Sequence, residues 1–249
     1  MTPVGIQRIA MITDFGPGPY VGQVLLRLNA LVPVVPVVDL VSDLTPFRPD
    51  LAAYLLPALV RDTPAGTLFL CVVDPGVGGA RSALAVAADG NWFVGPDNGL
   101  LAVVARRAQD LRIQRVVWRP DWTSDSFHGR DIFAPIAAGL CLGDGLEGQD
   151  VSPSSLAGWD GSPDLAKVVY LDRYGNLIVG WRAAGLDRRA RLQIGPLELP
   201  YARTFCEVPV GAGFWYEDGF GLVEVAVNQG RADRAFGLEP GDDLGPPRF

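Results

Sequence analysis

The chain has 249 residues, 49% of them hydrophobic, which suits one large domain or two modest ones with a real core. Its formal charge of -7 and pI near 4.7 leave no basic face for nucleic acid or for an anionic membrane surface, so the expected partner is a small molecule. Lys167 is the only lysine, which leaves Schiff-base chemistry and the lysine of phosphate-binding loops with a single isolated candidate.

Cys71, Cys141 and Cys206 form an odd, widely spaced set in apolar surroundings, as expected of reduced residues in a cytoplasmic protein. His128 is the only histidine and no cysteines are paired in sequence, so a His/Cys zinc site cannot be assembled and no metal is expected, although a carboxylate magnesium site stays open. The longest apolar runs fall short of a membrane span, and no charged N-terminal region leads into an apolar signal core.

In chain order, Arg8 to Thr13 is a short apolar strand that delivers Asp14 to the glycine-rich turn Phe15-Gly16-Pro17-Gly18-Pro19-Tyr20. Val21, Val24, Leu25 and Leu28 then recur at helical spacing. Gly16, Gly18 and Gly22 miss the dinucleotide-binding spacing, so Asp14 reads better as an acid aimed at sugar hydroxyls than as part of a phosphate cradle. Val34 to Val41 is β-branched, but Pro33 and Pro36 each remove a ladder donor and predict a peripheral strand. Leu51, Leu55, Ala58 and Leu59 mark the next helix, which Pro57 is expected to kink or end.

Thr67 to Val73 predicts a central buried strand ending on Asp74 and the loop Pro75-Gly76-Val77-Gly78-Gly79-Ala80-Arg81. In open α/β sheets ligands collect where strands end, so a carboxylate there is a candidate reaction centre. Ala83 to Ala88 and Trp92 to Val94 predict two more strands. Pro96-Asp97-Asn98-Gly99 then reads as turn chemistry before a helix over Leu100 to Arg107. A strand over Ile113 to Trp118 precedes Ser126-Phe127-His128-Gly129-Arg130-Asp131, and Phe133, Ile136, Ala137 and Leu140 form a helical core stripe. Gly143 to Asp164 lacks periodicity and is the best domain boundary. The expected fold is therefore α/β: an N-terminal α/β domain over 1–150 with a central sheet, a linker over 151–164, and a smaller C-terminal all-β, barrel-like domain over 165–249. Short apolar segments at 167–171, 177–181, 191–194, 197–201 and 222–227 supply the strands of the second domain. The segment Asp172-Arg173-Tyr174-Gly175-Asn176 joins the first two.

Five segments in order resemble the S-adenosyl-L-methionine (SAM) hydroxide adenosyltransferases, the adenosine-forming SAM hydrolases, relatives of the fluorinase and chlorinase enzymes. They are Thr13-Asp14-Phe15-Gly16 with Tyr20-Val21-Gly22, Val72 to Gly78 with Arg81, Pro96 to Leu100, Phe127 to Asp131 with Phe133-Ala134-Pro135, and Asp172 to Asn176. Gly221 to Asn228 with Gly230 and Ala232 also resembles the family's adenine-binding region. The resemblance implies hydrolysis of SAM to adenosine and L-methionine by nucleophilic substitution, with SAM as substrate and no cofactor. It also implies a homotrimer with sites between subunits. By motif, Asp74, Arg81 and His128 correspond to the water-activating triad, Asp14 to the ribose ligand, Asp172 to the carboxylate that receives the methionine ammonium, and Asn176 to an adenine partner. Phe127 and Tyr174 would pack around the nucleoside. Either Asp74 or His128 could take the water proton. A carboxylate at position 74 would repel a halide, which disfavours halogenase chemistry, while a SAM-binding sensor without turnover is the alternative from another class.

Overall fold

The computed structural model describes residues 5–145, 147–194 and 197–245. It divides into two compact units, residues 5–53 with 63–161 and residues 54–62 with 162–245.

In the first unit the elements are β1 (Arg8–Thr13), α1 (Pro19–Leu31), β2 (Val37–Val41), α2 (Pro49–Val60), β3 (Thr67–Val72), β4 (Ala83–Ala88), β5 (Asn91–Pro96), α3 (Ala102–Arg107), β6 (Leu111–Val116), α4 (Ala134–Leu142) and β7 (Gly148–Asp150). Only the start of α2 belongs to this unit. The seven strands make one mixed sheet in the order β2-β1-β3-β5-β4-β6-β7. The four strands β2, β1, β3 and β5 run parallel, while β4 is antiparallel to both β5 and β6. β2 occupies an edge, where its missing proline donors cost nothing, and it begins only after Pro36.

β3 is buried at all six positions, as a strand covered on both faces must be. Alternate residues Leu68, Leu70 and Val72 join Val24 and Leu28 of α1 and Phe133 and Ile136 in one core. On the other face Phe69 stacks on Phe93 of β5 with ring centroids 5.0 Å apart. At 25 cal/mol per Å2, each such fully buried side chain contributes roughly 1.5 to 3 kcal/mol. The parallel register pairs Thr13 with Val72, so the acids that follow β1 and β3 emerge side by side at the carboxyl edge of the sheet.

Two expectations need correction. α2 does not end at Pro57 but runs on to Val60, because burial of Leu51, Leu55 and Leu56 outweighs the one hydrogen bond that proline removes. Residues 148–150, in a stretch without periodicity, form the edge strand β7, paired with β6 through Gln114 and Asp150.

The second unit is antiparallel. Its elements are β8 (Val168–Leu171), β9 (Leu177–Arg182), β10 (Leu192–Ile194), β11 (Leu197–Leu199), β12 (Gly213–Glu217), β13 (Leu222–Val227) and α5 (Ala232–Phe236). Four strands form a sheet in the order β12-β13-β9-β8, and β10 pairs with β11. Leu192, Ile194 and Leu199 of that pair share a core with Val179, Trp215 and Val225 of the sheet. The indole N–H of Trp215 donates to the Ala190 carbonyl at 3.1 Å. β12 and α5 were not anticipated from the sequence.

Gly95 of β5 faces the backbone of β3, and a Cβ built there would lie 2.4 Å from the Cys71 carbonyl oxygen. Gly95→Ala should therefore force the two central strands apart and cost about 1–3 kcal/mol, seen as a lower thermal midpoint. An unchanged midpoint would mean that this contact relaxes without cost.

Candidate active site

Asp14, directly after β1, and Asp74, two residues after β3, both line a cleft of ≈ 410 Å3 in the first unit. Phe15, Tyr20, Pro46, Phe47, Val72, Val77, Ser126, Phe127, His128 and Gly129 complete its wall. Asp74 is held from behind. The Arg81 Nε–H donates to both its oxygens, at 3.1 and 2.9 Å, and the second guanidinium nitrogen reaches Oδ2 as well. The two side chains are only 5% and 11% exposed. The same nitrogen lies 2.8 Å from Nδ1 of His128. Arg81 thus bridges the carboxylate and the imidazole, and its guanidinium carbon lies 5.1 Å from the centre of the Phe133 ring.

The loop that carries Asp74 and Arg81 turns at Gly78, whose φ of +80° and 2.7 Å clearance from the Asp125 carbonyl both exclude a side chain. His128 enters from the other side, at the start of a single π-helical turn over Gly129–Phe133. Asp131 ties that turn down: it accepts from Arg130 through both oxygens, at 2.6 and 2.9 Å, and from the Ser124 backbone N–H at 3.0 Å. Arg130 reaches Gln23 of α1 at 2.6 Å and lies over the Phe127 ring at 4.8 Å. Phe127 packs edge-on against Phe15 and Tyr20, with centroids 6.0 and 5.2 Å away. Gly129 makes room for this wall, since a Cβ there would meet Phe15 at 2.9 Å.

The electrostatics follow from burial. The Asp14 carboxyl is pushed above its usual range, first by desolvation and then by the Asp74 charge, against a 2.9 Å hydrogen bond from the Phe47 backbone N–H. Phe47 makes that bond at a φ of +63°, a conformation uncommon for a bulky residue. His128 is held below its usual value by desolvation and by the Arg81 charge beside it, so the imidazole is neutral at pH 7.

The structure therefore brings Asp14, Asp74, Phe127 and His128 to one cleft, with Arg81 behind Asp74 and His128. Asp172, Tyr174, Asn176 and Ala232 belong to the second unit. There Asp172 accepts from the backbone N–H and the side-chain amide of Asn176, at 2.8 and 3.0 Å. Tyr174 is exposed at the tip of this turn. The turn is fastened to the start of α5: Arg231 donates to the Arg173 carbonyl at 3.1 Å and the Asp233 N–H to the Gly175 carbonyl at 3.0 Å, with Ala232 buried between. Sequence reasoning missed Pro46 and Phe47 in the cleft wall, which no spacing or composition signal marks. It also missed Glu224, which alternation presents as an ordinary strand residue. Glu224 is buried, accepts from the Tyr216 hydroxyl at 2.5 Å, and is pushed up to about 7 by desolvation, with the Asp218 and Asp172 charges adding to the rise.

A carboxyl raised in the fold keeps a proton that the unfolded chain has lost, so its stability is present below about 4.3 and is given up as pH rises through about 7. Glu224→Gln should remove that dependence. The variant should melt higher than the parent at pH 8 and show no advantage at pH 5. Parallel melting curves at both pH values would mean that Glu224 does not titrate between them.

Comparison with known proteins agrees in both units. Residues 9–150 match the SAM hydroxide adenosyltransferase N-terminal domain, and residues 166–245 match the C-terminal domain of the same family. A protein of Thermus thermophilus named (R)-S-adenosyl-L-methionine hydrolase is 40% identical over 255 residues, covering 95% of this chain and 98% of its own. One of the same name from Salinispora arenicola is 36% identical over 251 residues, covering 95% and 96%. The crystal structure of an uncharacterized conserved protein from Thermotoga maritima superposes with a TM-score of 0.84 at 30% identity, covering 94% of this chain and 98% of that one. With both halves matched and the acids after β1 and β3 converging with His128 on one cleft, the chain belongs to the SAM hydroxide adenosyltransferase family.

Proposed function

We propose that this chain hydrolyses SAM to adenosine and L-methionine, a reading carried by the Arg81 guanidinium that joins Asp74 and His128 behind the cleft wall. The names of the relatives from Thermus and Salinispora support the same reaction. The contact also supports a division of labour. A guanidinium has only donors, so Nδ1 of His128 must accept, and the single hydrogen of the neutral ring sits on Nε2. His128 then has no free lone pair, which leaves Asp74 as the base.

In the reaction, water donates a hydrogen bond to Asp74 and accepts one from the Nε2–H of His128. Its oxygen attacks C5′ as the C5′–S bond breaks, the bonding pair leaves on sulfur, and the water proton passes to Asp74 and on to solvent. The sulfonium becomes the neutral thioether of methionine, so alignment and charge placement are what the protein supplies. Asp14 would hold the ribose hydroxyls, and Phe127, backed by Phe15 and Tyr20, would bound the nucleoside. Two carboxylates on one cleft suit a cationic substrate and repel a halide. From the second unit, Asp172 would receive the ammonium and Asn176, Tyr174 and Ala232 the adenine end. The active form would be a homotrimer with sites between subunits, working in the cytoplasm with its thiols reduced.

Incubation with SAM should yield adenosine and methionine by chromatography, and no halogenated nucleoside in high chloride. Asp74→Ala and His128→Ala should each lower kcat by about 10² or more with KM within a few fold, whereas Asp14→Ala should mainly raise KM. Binding of SAM without product over hours would replace the enzyme by a sensor. Mixing inactive Asp74→Ala subunits with inactive Asp172→Ala subunits should restore part of the activity, because mixed trimers rebuild intact sites. Full activity in a demonstrable monomer would rule out the shared site.

A further inference from the structure

The segment from Asp74 to Arg81 contains no helix or strand, yet it carries two of the three groups that must be placed to within a fraction of an ångström. Parallel pairing between β3 and β5 stops at Leu70 and Val94, so the ladder does not reach it. Asn98, just past the end of β5, spans the gap. Its Nδ2–H donates to the Val73 carbonyl at 2.9 Å, the peptide group immediately before Asp74. Its Oδ1 accepts the Leu100 backbone N–H at 3.3 Å, which fixes the end of the amide that faces Val73. The preceding residue holds the other end of the segment: the Asp97 backbone N–H donates to the carbonyl of Ser82 at 2.9 Å, immediately after Arg81. The Asp97 carboxylate is itself anchored by the Ala157 N–H at 3.0 Å.

From these contacts we infer that the dipeptide Asp97-Asn98 is a clamp on both ends of the reactive loop, and that Asn98 is a positioning residue that acts through Asp74. The inference rests on the hydrolase reading for what the loop does, and on the hydrogen bonds alone for how the loop is held. The side chain must be short, with a donor toward Val73 and an acceptor toward Leu100. Asparagine meets this requirement, while aspartate keeps the acceptor and turns an anion on the Val73 carbonyl. The Leu100 bond is the contact of an ordinary Asx turn, whereas turn propensity alone does not demand the Val73 bond.

Asn98→Asp preserves size and the Leu100 contact but replaces the Val73 bond by a repulsion, while Asn98→Ala removes both bonds without adding charge. The variant N98D should lose about 10²-fold in kcat with KM within about threefold, the pattern of a group displaced in the transition state. In an Asp74→Ala background the same change should cost less than about twofold, because a residue that acts through Asp74 has nothing left to position. Losses that multiply in the double variant, or wild-type kcat in N98D, would overturn the clamp. Hydrogen exchange reads it without substrate: peptides spanning 74–82 should exchange several-fold faster in both variants while β1 keeps its parental rate. Unchanged exchange over 74–82 would also overturn it. If wild-type protein left SAM intact, the hydrolase reading would fall, and exchange would then decide the clamp by itself.

Discussion

The hydrogen-bonded contact between Arg81 and Asp74 is the constraint that the rest of the first unit serves. Taking a carboxylate and a guanidinium out of water is costly, and the cost is recovered only when geometry is good and spare donors are used. Here the pairing is multiple, one guanidinium nitrogen serves both Asp74 and His128, and the cation rests against Phe133. Each partner would be stranded without the others: a buried carboxylate without its cation, or an imidazole free to choose either tautomer. Lysine could not replace Arg81, because a point charge cannot present two aligned donors to a carboxylate and a third contact to a ring nitrogen.

Around that ion pair the sheet supplies placement and the loops supply shape. Asp14 and Asp74 are neighbours because parallel register makes them so, and their proximity contributes to the raised carboxyl of Asp14. The aromatic wall of Phe15, Tyr20 and Phe127 depends on a missing side chain at Gly129 and on the Arg130–Asp131 pair that fixes the turn below it. The outcome is a cleft in which negative charge is held rigid on one side and apolar rings on the other.

Much of this was legible in the residues. β1, β3 and β4 show as apolar runs with clean ends, and Asp14 and Asp74 stand where strand endings make carboxylates useful. The link between Arg81 and His128 was not legible from spacing, since 47 residues separate them; only the family resemblance joined them. Pro57 does not end α2, because burial of its neighbours outweighs the lost backbone bond. Asn98 is the opposite case: its turn propensity is real and hides a tertiary hydrogen bond. Phe47 gave no warning of a left-handed backbone, and Glu224 looked like any acid on a half-exposed strand until β12 covered it. Arg81, Asn98 and Phe47 share a cause, because each meets a partner remote in sequence.

The complete burial of β3 has a consequence for its register. With both faces buried, a shift by one residue would still leave apolar side chains on each, so alternation alone sets the register of β3 weakly and the fit of individual side chains must set it. Gly95, pressed against Cys71, adds a steric stop in the neighbouring strand. The register that seats Asp14 beside Asp74 is thereby held by shape at this contact as well as by hydrogen bonds.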